Sequence, residues 1–207
     1  MRRFGSLFGV CVLSFSLAAC GGGTSDNTLA TGIGGSSTGN SRTSTPPVDP
    51  VPTPGVPRQD GTATGMSDRE LAFASDLFEI LNGYRTNNGR SALQWEAPIT
   101  AVAQGHTRYQ QDIGQLTHAG PPPCTNAGVC LAERLTAGSV AYLSAAENVG
   151  HSGRTAAEAI EIWIASPLHN ENLLATEWTH VGIGFREGTG GAPSMPGPWW
   201  TVVLIRK

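Results

Sequence analysis

Five histidines and four cysteines are the side chains of this 207-residue sequence best suited to bind a metal, close a disulfide or move a proton. Cys124 and Cys130 have no further Cys and no His at zinc-finger spacing beside them, so a metal reading of the pair is weak. His106 falls on the apolar stripe Ile99, Val102, Ala103, Tyr109, Ile113 and reads as a core histidine with a satisfied ring. His151, between Gly150 and Ser152, reads as a solvated loop residue, and His180, heading an alternating run, as packing. The local signatures of a hydrolase are missing, with no G-x-S-x-G elbow, no H-E-x-x-H and no Cys-x-x-Cys. Trp95, Trp163, Trp178, Trp199 and Trp200 read as core and cleft wall rather than a carbohydrate platform.

The N-terminus bears on compartment. Arg2 and Arg3 precede an uncharged run from Phe4 to Ala19 that is too short to span a bilayer, the pattern of an export signal. It ends Leu17-Ala18-Ala19-Cys20, which resembles the lipobox of bacterial lipoproteins, so residues 1–19 are expected to be removed and Cys20 lipidated. Several acyl chains on one cysteine anchor a protein stably. Gly21, where aspartate favours inner-membrane retention, points to the outer membrane if the source is Gram-negative. With Cys11 in the signal and Cys20 acylated, Cys124 and Cys130 remain as an even pair in an exported chain, and a disulfide between them is expected.

The elements that must position any site follow the leader. Residues 20–66 carry the lipidated cysteine and a Gly/Ser/Thr/Pro-rich tether, too poor in large apolar residues to fold. Residues 67–207 suit one domain. Ser67 and Glu70 form a capping box, with Phe73, Leu77, Leu81 and Tyr84 at helical spacing until Asn87-Asn88-Gly89. A second helix starts at Pro98 and stops at Gly114, and a third opens at Thr155-Ala156-Ala157-Glu158 and cannot comfortably pass Pro167. A short helical turn is expected from His169 to Leu174. HVGIGF (180–185) and WWTVVLI (199–205) read as a closing antiparallel pair joined by the long loop GTGGAPSMPGP, and strand alternation sends Trp199 and Trp200 to opposite faces. Helices first and strands last argue for an α+β fold. Charged residues are only 14% of the chain and the net charge is −3, which speaks against nucleic acid or an anionic membrane surface as a partner.

Taken in order, LNGYR (81–85), Gly89, Leu93, Trp95, then Ile99, Ala103 and His106, LTHAG with His118, Arg134-Leu135 before AENVG, Trp163 before SPLHNENLL, THVGIGF and WWTVVL resemble the CAP superfamily in its bacterial SCP-like branch. The resemblance covers Leu77 to Val203 and implies a three-layer α-β-α sandwich with a small antiparallel sheet.

It also implies a shallow cleft in which two histidines and two glutamates can hold a divalent metal. His118, Glu147 and His169 match the first histidine, first glutamate and second histidine, while Ser166 stands where many members have the second glutamate. Two imidazoles and a carboxylate would suit weakly bound zinc, with Asn148 and Ser166 beside them in the cleft. The other reading is that Glu147 and Asn148 bond backbone groups holding the cleft loops and the histidines complete that network. By this resemblance the domain is expected to be a monomeric, non-catalytic module that binds a lipid, a peptide or a surface partner. The alternative is a metal-assisted hydrolase with Glu147 as general base.

Overall fold

The computed structural model describes residues 64–207 apart from 125, 152 and 189–196. Cys20, the leader, nearly all of the tether and most of the 187–198 loop therefore lie outside the described residues.

Helix α1, Asp68–Asn87, begins as its sequence dictates: Ser67 Oγ accepts from the Glu70 amide while the Glu70 carboxylate accepts from the Ser67 amide. Packing starts slightly earlier, because Thr64 and Met66 are already buried and Arg108 donates to the Gly65 carbonyl. A two-residue strand β1, Gln94–Trp95, leads to α2, Ala97–Ile113, which has Pro98 in its first turn and ends at Gly114 in the left-handed region with φ 62°. Helix α3, Ala127–Ala137, is capped by the Asn126 side chain, and strand β2 spans Ser144–His151. Helices α4, Ala156–Ala165, and α5, Pro167–Leu174, meet at Ser166. Strands β3, His180–Arg186, and β4, Trp199–Arg206, close the fold.

The sheet order is β1-β3-β4-β2. β3–β4 and β4–β2 are antiparallel, and the short β1 adds a parallel edge beside β3, so the sheet is mixed. One face, with Ala146, Ile183, Phe185, Trp200, Val202 and Leu204, packs against α1 and α4. The other, with Ala145, Val203 and Ile205, packs against α2 and α3. This is the α-β-α sandwich that the sequence led us to expect. Trp199 and Trp200 do leave β4 on opposite sides, yet both are fully buried, Trp200 against Phe185 and Trp199 against His151. Helix α2 lies unusually close to the sheet because Gly182 and Gly184 face it: a Cβ on Gly182 would stand 2.3 Å from the Ile99 carbonyl carbon. Beyond β1 the open edge of β3 is covered by α2 side chains, with Gln104 accepting from the Phe185 amide and Gln111 accepting from Arg186.

Candidate functional site

Strand β2 carries Glu147 and Asn148 side by side, and alternation aims them at opposite faces of the sheet. Glu147 turns toward the layer of α2 and α3. Its Oε1 accepts from His118 Nδ1 at 3.0 Å and lies 3.6 Å from His106 Nε2, while Oε2 accepts from Arg134 Nη2 at 2.6 Å. The loop bearing His118 is fastened by one face of α2: His106 Nε2 donates to the Thr117 carbonyl, Gln110 accepts from the Thr117 amide and Tyr109 donates to the Gly120 carbonyl. A Cβ on Gly120 would stand 3.6 Å from the Cβ of Cys124, so the loop passes beside the Cys124–Cys130 disulfide, which joins it to the first turn of α3.

Asn148 turns toward α5. It donates to the His169 carbonyl at 3.1 Å and accepts from Asn172 Nδ2 at 2.9 Å, and Trp178 in turn donates to the Asn172 carbonyl. His169 Nδ1 is 2.9 Å from Ser166 Oγ. Ser166, read in the sequence as a gap in a ligand set, thus fixes the orientation of the His169 ring.

Electrostatics sort these groups into distinct states. Burial pushes His106 down to about 4 against the upward pull of Glu147, with Arg134 and His118 adding to the downward push. It is neutral at physiological pH. Burial opposes ionisation of Glu147, but its neighbours outweigh that and its pKa is lowered. The neighbours that lower it are His106, the hydrogen bond from His118 and the Arg134 guanidinium, of which Arg134 carries a permanent charge. His169 is lowered from its ordinary value, first by burial and then by the neighbouring His118.

Both Nδ1 atoms are thus engaged, and Nε2 of His118 and of His169 have no hydrogen-bond partner among the described residues. Both oxygens of Glu147 are also engaged. Among the described residues no three His, Cys, Asp or Glu side chains converge as a metal-binding group. The ring nitrogens left open are thus Nε2 of His118 and of His169, with Glu147 behind His118 as an orienting carboxylate.

Of the residues singled out from sequence, His118 meets Glu147, and Asn148 meets the backbone of His169. His106, expected to be a core histidine with a satisfied ring, is buried but belongs to the Glu147 cluster, and its Nδ1 has no partner among the described residues. His151 is not a loop residue: it ends β2 and packs its ring 4.6 Å from that of Trp199. His180 is half-buried beside Thr179 rather than in the core. Arg134 carried no signal in the sequence beyond its place before Leu135. Among the described residues no helix is long and apolar enough to cross a membrane.

Comparison with known proteins places these observations. The sequence model of the cysteine-rich secretory protein (CAP) family matches residues 78–204. A protein called "Uncharacterized membrane protein YlbC" from Bacillus subtilis is 28% identical over 108 residues, 52% of this chain and 30% of that protein. "Uncharacterized protein YkwD" from the same organism is 23% identical over 154 residues, 74% of this chain and 55% of that protein. The chain thus spans about half or less of the length of these relatives. Among solved structures, an extracellular SCP-domain protein from Bacillus anthracis superposes with a TM-score of 0.56 at 24% identity, covering 69% of this chain and 44% of that one.

Proposed function

The chain belongs to the cysteine-rich secretory protein (CAP) family, and on that premise we propose that it is a membrane-anchored, extracytoplasmic binding module whose ligand site is the His118–His169 pair. The observation that supports this reading is that each ring is held through Nδ1, by Glu147 or by Ser166, and each leaves Nε2 available. A divalent metal such as zinc would be held by those two nitrogens and would supply a positive centre for an anionic or carbonyl group of a lipid, a peptide or a surface partner. Binding is favoured over hydrolysis because Glu147, the carboxylate a metal-assisted hydrolase would use as base, is buried and committed to Arg134 and His118.

Anchoring rests on the Leu17-Ala18-Ala19-Cys20 motif and on the tether that follows it. A Cys20→Ser variant is expected to leave the membrane fraction once its leader is removed. The binding reading is tested by incubating the purified protein with a broad peptide library, with and without a chelator, and by extracting co-purifying lipid for mass spectrometry. Recovery of a bound ligand without peptide cleavage supports it. Chelator-sensitive cleavage would instead establish the hydrolase.

A further inference from the structure

We propose that Arg134 is a positioning residue of this pair: it holds and orients the side chain at position 147 against His118, so that in the wild type the carboxylate faces Nδ1 and Nε2 is presented as a lone pair. The proposal rests on the reading of His118 as a ligand-binding imidazole given above.

Arg134 touches both ends of a short relay. Its Nη2 donates to Glu147 Oε2 at 2.6 Å, and its Nη1 donates to the His118 carbonyl at 3.4 Å. The far oxygen of the same carboxylate accepts from His118 Nδ1 at 3.0 Å. An ionised carboxylate can only accept, so the nitrogen facing it must be N–H and the other nitrogen must carry the lone pair. Arg134 lies one helical turn beyond Cys130 on α3, so the disulfide that pins the His118 loop also fixes the helix that carries the guanidinium.

The role of Arg134 becomes visible if the carboxylate is replaced by an amide of the same shape. In Glu147→Gln the two ends of the side chain differ, and Arg134 can be satisfied only by the oxygen. The amide N–H2 then points at His118 Nδ1, which must accept, and the proton moves to Nε2. His106 Nε2, 3.6 Å from the inner oxygen, favours the opposite orientation, so inversion of the ring is attributable to Arg134.

The experiment is long-range 1H–15N NMR of the histidine rings in metal-free protein, combined with zinc titration. Wild type is expected to show Nδ1–H for His118. Glu147→Gln is expected to show Nε2–H and to bind zinc at least about tenfold more weakly, the scale of lost outer-shell orientation. In the double variant Glu147→Gln/Arg134→Met the amide is free to turn, and both the Nδ1–H form and much of the zinc affinity are expected to return. If that variant does not fold, Glu147→Gln/Arg134→Lys replaces it, and the retained cation is expected to keep the inverted ring. An Nδ1–H ring in Glu147→Gln, a double variant no better than the single one, or a normal ring in the lysine variant would each overturn the proposal. The tautomer is read without metal, so a wild type that shows the expected ring but binds no zinc would refute the ligand reading and leave the positioning role standing.

Discussion

Glu147 and Asn148 are consecutive residues of β2 that grip the two outer layers of the sandwich, Glu147 at the ring of His118, 3.0 Å away, and Asn148 at the carbonyl of His169, 3.1 Å away. One dipeptide on one strand therefore contacts two histidines that approach from opposite faces of the sheet.

Replacing Asn148 by Ala leaves the buried Asn172 side-chain amide without its acceptor and removes the bond to the His169 carbonyl. The expected cost is about 2 kcal/mol, the penalty for unpaired buried polar groups. Urea unfolding measures that loss, while ring 15N shifts are expected to move for His169 and to stay for His118. Equal disturbance of both rings would show that the strand does not hold them separately.

Acid sensitivity is expected from His106, whose pKa burial pushes down from its ordinary 6.5 to about 4 in the fold. Between those values the unfolded chain binds the extra proton. Stability from this group is complete above the unfolded value and declines as the pH falls toward the folded one, by about 3 kcal/mol in all. The lowered Glu147 acts in the same sense below its ordinary 4.5, where protonation removes the stability its ionised form contributes. Urea midpoints followed from neutral pH downward should fall in wild type and fall less steeply in His106→Gln. A wild-type midpoint that is flat between the two His106 values would contradict this.

The Cys124–Cys130 bridge spans only 6 residues, so its loss in Cys124→Ser/Cys130→Ser should cost about 2 kcal/mol and leave the fold intact. Amide shifts are expected to change around Thr117 to Gly120, where the loop passes beside the bridge. Loss of the native near-ultraviolet circular dichroism would mean that the bridge holds more than this loop.

Much of this architecture is legible in the residues. The Ser67–Glu70 box, Pro98, Gly114 and the β-branched run ending in Ile205 each use local chemistry that a sequence exposes directly. Strand β2 is different: SAAENVGH has one β-branched residue and places Glu, Asn and Gly where strands rarely carry them. Its pairing with β4 and the side-chain bonds of Glu147 and Asn148 override that propensity. Arg134 is 13 residues from Glu147 and on another element, so its contact exists only in the fold. Ser166 illustrates the limit of motif matching, because its position suggested a lost ligand while its hydroxyl in fact steadies His169.

The central claim, that His118 and His169 form one ligand site, is tested most directly by zinc calorimetry on wild type, His118→Ala and His169→Ala at neutral and mildly acidic pH, with folding of each variant checked. Wild type is expected to bind one zinc ion weakly and reversibly at neutral pH, less tightly in acid as protons compete for the imidazole lone pairs, and either alanine variant is expected to lose the site. Binding that survives both alanine changes, or a wild type that takes up no zinc at millimolar concentration, would contradict the account.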